Sequence, residues 1–429
     1  MVKVGIVGSG GREHALAWSI AQGPVDEILV MPGNAGTEQE NKCRNYPVDL
    51  STKACLDEIS AIVRSEEIDS LIVGPEDPLA WGLVDKLNAE GYDWVFGPTQ
   101  EQARLEASKF YSFNVMDELG VPQAGGIKCY SREGVKNAIS DMATDRGVIL
   151  KADILAAGKG VVVCDSLDEA LERADQHVDD YGILQLVSER LVGEEFSVFA
   201  FCDGRNVVPF YASAQDHKPL EDGDKGPNTG GMGAYCPTSV APADVISWVC
   251  QEVIGPIMEK TGYKGIFYAG MMMTEDGPKV LEINVRAGDP EIQPLVMMLQ
   301  GSIYVPIALA LNGELERASL DLKFGAACCT VLASNGYPGK YTKGQEIAGI
   351  EQAEQLPGVK VFHAGTRMVD GKLVNSGGRV LGVTAFSEQG LKGAIDMSYA
   401  GVDPILAQSA CDFYHRTDIG QKGLDALRE

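Results

Sequence analysis

Glu282, Asn284 and Arg286 occupy alternate positions in the run GPKVLEINVRAGDPE. Strand periodicity places these three on one face and Leu281, Ile283 and Val285 on the other. A carboxylate and an amide oxygen in line suit Mg²⁺ bridging phosphates, and an arginine beside them can spread charge over a transferring phosphoryl group. A solvent-exposed strand face is the competing reading. A second arrangement is LKADILAAGKGVVV, residues 150–163, where Lys151 and Lys159 bracket Ala156, Ala157, Gly158 and Gly160. Small side chains let backbone N–H groups approach an anion, and two ammonium groups neutralise a polyphosphate as point charges. The flanking stretches read as neighbouring strands, so Lys151 falls on a strand and Lys159 at the loop tip. This is not the GxxxxGK[ST] phosphate loop.

VGIVGSGGREHA follows a strand and opens a helix, but Glu13 stands where a dinucleotide fingerprint has its third glycine. An NAD site also wants an acidic residue closing the second strand, which here ends Met31-Pro32. What remains is a helix N-terminus with Arg12 alongside, suited to one phosphate, or else a turn without a ligand. In SERLVGEEFSV, Glu189 and Glu195 flank a turn and offer acceptors to an adenine amino group or ribose hydroxyls, unless they are surface charge. The segment SAQDHKPLEDGDKGPNTGGMGAY, residues 213–235, is long for a connection and its Gly/Asp/Asn content argues against a core strand.

These residues need a scaffold, and its pattern is readable. The first hundred residues alternate apolar strands (VKVGIVG, EILVMP, SLIVGP, WVFGP) with helical stretches, which indicates a doubly wound parallel sheet. Each strand's carboxyl end carries glycine or proline, and such ends crowd one ligand-binding rim. Near Glu101 the pattern changes: a helical stretch over 100–120 leads into a small α+β segment ending near Val187, then longer strands with hairpins such as TEDGPK. From about Lys323 the chain turns glycine-rich and β-leaning and ends in a helical tail, VDPILAQSACDFYHR. The fold class is thus α/β and α+β, multidomain, with a small module inserted in a larger one.

At 429 residues the chain exceeds one ordinary core, so roughly two to four domains are expected. Hydrophobic residues are 45% and charged residues 23%, which excludes disordered, collagen-like and coiled-coil classes. Lys plus Arg number 36 against 61 Asp plus Glu, a net charge of −25 that argues against nucleic acid and anionic lipid as partners. No apolar run approaches the roughly 20 residues that span a bilayer. The 10 cysteines show no zinc spacing and no disulfide framework, as fits a reduced, cytoplasmic location.

In order along the chain, SGGREHALAW, PGNAGT, GPEDPL, FGPT, EASK, LKADILAAGKGVVV, GEEFS, QDHK, GPNTGGMGAY, EINVRAGDPE, HAGT and GGRVL closely resemble the phosphoribosylamine-glycine ligase (glycinamide ribonucleotide synthetase) family of the ATP-grasp superfamily. The resemblance covers nearly the whole chain, and GGREHA combined with QDHK and PNTGGMGAY is its most specific part. It implies a Rossmann-like (pre-ATP-grasp) domain over 1–103, an ATP-grasp core over 104–124 and 190–324, a lid over 125–189 and a β-rich C-terminal domain over 325–429. It implies ATP-dependent joining of glycine to 5-phosphoribosylamine through a glycyl phosphate, with Mg²⁺ or Mn²⁺. A monomer is expected, with a weak dimer as the alternative.

By the same resemblance, Lys109, Lys151 and Lys159 contact ATP phosphates under a loop from Ala156 to Gly160, with Ala157 and Gly158 between. Glu189 and Leu191 line the adenine pocket, Glu195 meets the ribose, and Glu282 and Asn284 hold the metal. Arg286 and Asp289 face glycine and its acyl phosphate, and with Lys159 form the catalytic set. Gly10, Gly11, Arg12, Glu13, Asn34, Ala35, Gly36, Thr37 and Glu76 receive phosphoribosylamine, while Asp216, His217, Lys218, Asn228 and Thr229 approach from the core. Two positions depart from the family pattern: Ile154 replaces a usual glycine, and Ser188 a common glutamate. Ile154 is expected to stiffen the lid entry. Ser188 is expected to matter little, because that position meets adenine through its backbone. Two other readings are a related ligase activating formate or bicarbonate, which the QDHK loop discriminates against, and a non-catalytic nucleotide-binding protein.

Overall fold

The computed structural model describes residues 1–155 and 160–427. Five parallel strands form the first sheet, in the order Cys43–Asn45, Glu27–Pro32, Lys3–Gly8, Ser70–Val73, Val95–Phe96. The chain leaves Lys3–Gly8 toward one edge and returns on its other side at Ser70–Val73, so a crevice opens where these two strands end. Glu13 fills the floor of that crevice: a Cβ added at Gly74 would lie 2.1 Å from its Oε1, and one at Gly8 would lie 2.4 Å from its Cδ. Side-chain volume at 13 is accommodated because positions 8 and 74 have none.

The helical stretch expected over 100–120 is two helices, Gln100–Ala107 and Lys109–Leu119. Ser108 adopts an extended conformation between them and accepts from the Tyr111 N–H, because a serine caps a helix start better than it continues a helix. Lys109 is thereby the first residue of the second helix.

The core sheet is antiparallel, in the order Val207–Pro209, Glu194–Asp203, Lys264–Thr274, Gly277–Asn284. Between Glu282, opposite Gly270, and Val280, opposite Met271, Leu281 bulges out of the ladder. Strict alternation therefore fails at one place. Ile283 and Val285 enter the core as expected, whereas Leu281 is half-buried and turns its free carbonyl to the Lys151 ammonium at 3.2 Å.

A second antiparallel sheet, Gly126–Cys129, Gln185–Glu189, Val148–Ala152, Val161–Cys164, carries helices Arg132–Met142 and Leu167–Tyr181 and has its own core around Ile139, Val148 and Val187. The C-terminal sheet runs Gln215–Asp216, Gly233–Cys236, Ala326–Ser334, Arg379–Ser387, Val359–His363, with Phe413–Tyr414 paired to Ala326–Ser334. Its first two strands come from within the segment 213–235 and its border. Gly233–Cys236 is buried throughout, contrary to the expectation from glycine content, because the missing side chain at Gly233 lets the backbone approach Cys329 O. The expected helical tail ends at Gln408, and Phe413–Tyr414 is a strand.

Candidate active site

A cavity of about 400 Å³, counting its open mouth, lies between the lid sheet and the core sheet. Lys109, Lys151 and Glu282 line its polar side, and Met116, Leu186 and Ile283 its apolar side. Lys109 is placed by the cap at Ser108, and Asp153 ties the lid to this point by accepting from Ser108 Oγ–H at 2.8 Å and Phe110 N–H at 3.0 Å. Burial, helped by the like charge of Lys109, lowers the Lys151 ammonium to a pKa of about 8.

Lys218 reaches the same region from the strand end after Gln215–Asp216, bridging Glu195 Oε2 at 3.2 Å and Glu282 Oε1 at 3.4 Å. Lys218 outweighs burial and holds Glu282 at a pKa of about 2. Asn284 directs Oδ1 toward Arg286 at 3.3 Å and leaves its Nδ2 unpartnered among the described residues. An ionised carboxylate and an amide oxygen are hard donors that would suit a divalent cation. Among the described residues there is no cluster of three or more His, Cys, Asp or Glu that would enclose a metal.

Arg286 is the hub of the next layer. It lies 2.8 Å from Glu106 Oε1 and 3.3 Å from Glu76 Oε2, and Glu106 Oε2 also accepts from Val285 N–H at 2.8 Å. Burial raises the Glu106 carboxyl, whereas at Glu76 Arg286 and Arg12 overcome burial and hold the pKa at about 2. Glu76 lies 3.9 Å from Arg12, which donates to Glu13 Oε1 at 2.5 Å, and Glu13 Oε2 accepts from Gly10 N–H at 2.6 Å. Asp289 closes the ring: it accepts from Gln293 at 2.7 Å and pairs with Arg379 at 3.3 Å. Added Cβ atoms at Gly10 and Gly11 would sit 3.3 and 3.5 Å from the Asp289 carboxylate. Despite burial, Arg379 and then Arg12 lower the Asp289 pKa.

Several expected residues are elsewhere or otherwise engaged. His217 points away from this centre, while its chain neighbours Asp216 and Lys218 face it. Its ring meets Gly233 O and accepts from Gly420 N–H, and burial with Arg416 nearby lowers its pKa to about 4. Asn228 is exposed at the end of a hairpin, and Thr229 instead buttresses Lys218 by donating to its carbonyl at 2.7 Å. Asn34 folds the 34–37 turn, accepting from Gly36 and Thr37 N–H and donating to Ser9 O and His363 O, so its side chain has no capacity left for a ligand. Ala35 is buried in the same turn. Glu189 does not line the cavity; its carboxylate accepts from Gly125 N–H at 2.8 Å. Leu191 is half-buried, and Gly160 is buried with its carbonyl accepting from Ala152 N–H. Ile154 is 40% exposed at the lid entry. Ala156, Ala157, Gly158 and Lys159 lie outside the described residues.

Glu106, Gln293 and Arg379 were not singled out from the sequence. Glu106 and Arg379 lie in the quoted EASK and GGRVL motifs, but only the assembled site shows what each one holds.

Three family models match consecutive parts of the chain: phosphoribosylglycinamide synthetase N domain over 2–106, ATP-grasp (A) domain over 107–292 and C domain over 327–422. A phosphoribosylamine–glycine ligase from Rhodopirellula baltica is 43% identical over 435 residues, covering 98% of this chain and 97% of that protein. The trifunctional purine biosynthetic protein adenosine-3 of Gallus gallus is 42% identical across 100% of this chain, which spans 43% of that longer protein. A crystal structure of phosphoribosylamine–glycine ligase from Thermotoga maritima superposes with a TM-score of 0.80 at 31% identity, covering 97% of this chain and 100% of that one.

Proposed function

The chain belongs to the phosphoribosylglycinamide synthetase family, and from that premise we propose a role for each group at the junction of its sheets. The overall reaction is ligation of glycine to 5-phosphoribosylamine with ATP, through glycyl phosphate, giving glycinamide ribonucleotide, ADP and phosphate in purine biosynthesis. ATP and a divalent metal serve it, as in other ATP-grasp enzymes.

A carboxylate is inert toward amines until one oxygen becomes a phosphate leaving group, so three substrates must meet in one place with water kept out. Lys109 and Lys151 hold ATP phosphates, and Lys159 is the third lysine assigned to them. Leu191 flanks the adenine, and Glu195 holds the ribose once Lys218 is drawn to phosphate. Glu282 and Asn284 hold Mg²⁺ or Mn²⁺. When bound, this metal neutralises charge on the transferring phosphoryl group. Arg286, fixed by two carboxylates, faces the glycine carboxylate and then the acyl phosphate, while ionised Asp289 offers an acceptor to a substrate ammonium group. The N–H groups at Gly10 and Gly11, with Arg12 and Glu13 behind them, receive phosphoribosylamine in the crevice of the first sheet.

The observation that carries this reading is the continuous polar path from Lys218 and Glu282 at the cavity through Asn284, Arg286, Glu76, Arg12 and Glu13 to the Gly10 turn. It joins the phosphoryl-donor end to the amine end. The division proposed is 1–103, 104–124 with 190–324, 125–189 and 325–429, with 213–236 shared between core and C-terminal sheets. The chain acts as a cytoplasmic monomer. The test is phosphate release from Mg²⁺-ATP with glycine and freshly generated phosphoribosylamine, singly and together, with mass detection of the product. Release and product only with both support the ligase; nucleotide binding without turnover refutes it. Manganese substituted for magnesium in the same assay fixes the metal preference.

A further inference from the structure

Strand Gln185–Glu189 sends Val187 into the lid core and presents Leu186 and Ser188 to the cavity. Ser188 is 1% exposed, and its hydroxyl has no hydrogen-bond partner among the described residues, although Lys109, Lys151 and Glu282 in the same cavity each have one. Its cross-strand neighbours are Gly126 and Ile149. Gly126 supplies no side chain that could satisfy it, and a Cβ there would crowd Leu186 Cδ1 at 2.9 Å and Phe113 Cε2 at 3.1 Å. Buried hydroxyls are rarely left bare, so one on the wall of an open cavity that also holds Lys109, Lys151 and Glu282 points to a partner that arrives with a ligand. Leu186 pairs with Lys151, and Ser188 lies two residues further along the strand, about 6–7 Å from that row. The Lys151 ammonium and the bare hydroxyl thus share one wall of the cavity, one row apart.

Resting on the nucleotide reading of this cavity, and against the expectation that Ser188 matters little, we infer that the Ser188 hydroxyl meets the six-position of the purine base and sets the nucleotide selectivity of the enzyme. A hydroxyl both donates and accepts, so it serves a 6-amino group by accepting and a 6-oxo group by donating, whereas a carboxylate only accepts. A cavity read by serine takes inosine triphosphate alongside ATP. Glu189, whose carboxylate is occupied by Gly125 N–H, does not enforce the distinction.

The experiment compares ATP with inosine triphosphate by kcat/KM in the phosphate-release assay, and ADP with inosine diphosphate by calorimetry, using the full chain. The unaltered protein is expected to favour the 6-amino nucleotide by less than about tenfold, Ser188→Ala to lose about two- to tenfold for both nucleotides, and Ser188→Glu to widen the ratio at least about tenfold by losing the 6-oxo nucleotide. A ratio above about tenfold in the unaltered protein overturns the assignment, as does one ratio shared by all three proteins with unchanged thermal unfolding. The calorimetric ratio needs no turnover. A chain that binds both diphosphates comparably yet forms no product sinks the ligase reading alone.

Discussion

Lys151 couples nucleotide affinity to pH in a direction the fold dictates. Its pKa in the free protein is about 8 against an ordinary 10.5, so the ammonium that meets phosphate is lost as pH rises through 8. KM for ATP is expected to rise about tenfold between pH 7 and 9, since only the protonated form binds well, and Lys151→Arg should flatten that profile. Stability moves the other way. Between pH 8 and 10.5 the unfolded chain binds more protons than the native one, so the ligand-free protein gains stability with pH in that window, measurable by denaturant titration. Glu106 acts on the reacting centre through Arg286. Glu106→Gln should keep the fold and lower kcat about ten- to a hundredfold with little change in KM for ATP, because Arg286 loses one of its two anchoring charges. Glu106→Ala should also cost about 3–5 kcal/mol of stability, because it takes both acceptors from the buried Arg286 guanidinium and Val285 N–H, one of which the Gln amide oxygen retains.

The loops between elements set how closely the site residues approach. Gly231 has a φ of +106°, and a Cβ there would meet Pro290 Cδ at 2.4 Å and Asp216 Oδ1 at 2.6 Å. Gly231→Ala should lower stability by about 1–3 kcal/mol and reduce kcat by displacing the loop that carries Asp289. Gly91→Ala is the matched control: its φ is +83° with nothing within 4 Å, so only backbone strain of about 1 kcal/mol is expected, with activity intact. Thermal unfolding and steady-state kinetics on the pair separate loop displacement from strain.

At the scale of the molecule, the C-terminal sheet is fastened to the reacting centre. Arg379 donates to the carbonyls of Asp289 and Gly230 while pairing with the Asp289 carboxylate, and the strand ending at His363 docks on the first sheet's rim through His14 and Asn34. Two of its strands also belong to the core's long connection. A chain of residues 1–325 is therefore expected to show no cooperative unfolding transition by calorimetry, since buried Gly233–Cys236 loses the strand that covers it. The lid, with its separate core, is expected to exchange its amide hydrogens fastest among the domains.

The alternating strands and helices of the first hundred residues, the insertion of a small module and the ATP-grasp signature were legible in the sequence, because local periodicity and contiguous motifs carry them. Glu282, Asn284 and Arg286 could be grouped for the same reason, since they share one strand. Tertiary structure alone decided what depends on distant partners. Gly233–Cys236 became a core strand because Ala326–Ser334 covers it; His217 turned away because Gly420 and Gly233 occupy its ring; Ser188 faces the cavity while Glu189 is spent on Gly125. Each of those outcomes turns on a hydrogen bond or a packing contact made by residues far apart in the chain or across a sheet, and periodicity within a segment holds no information about them.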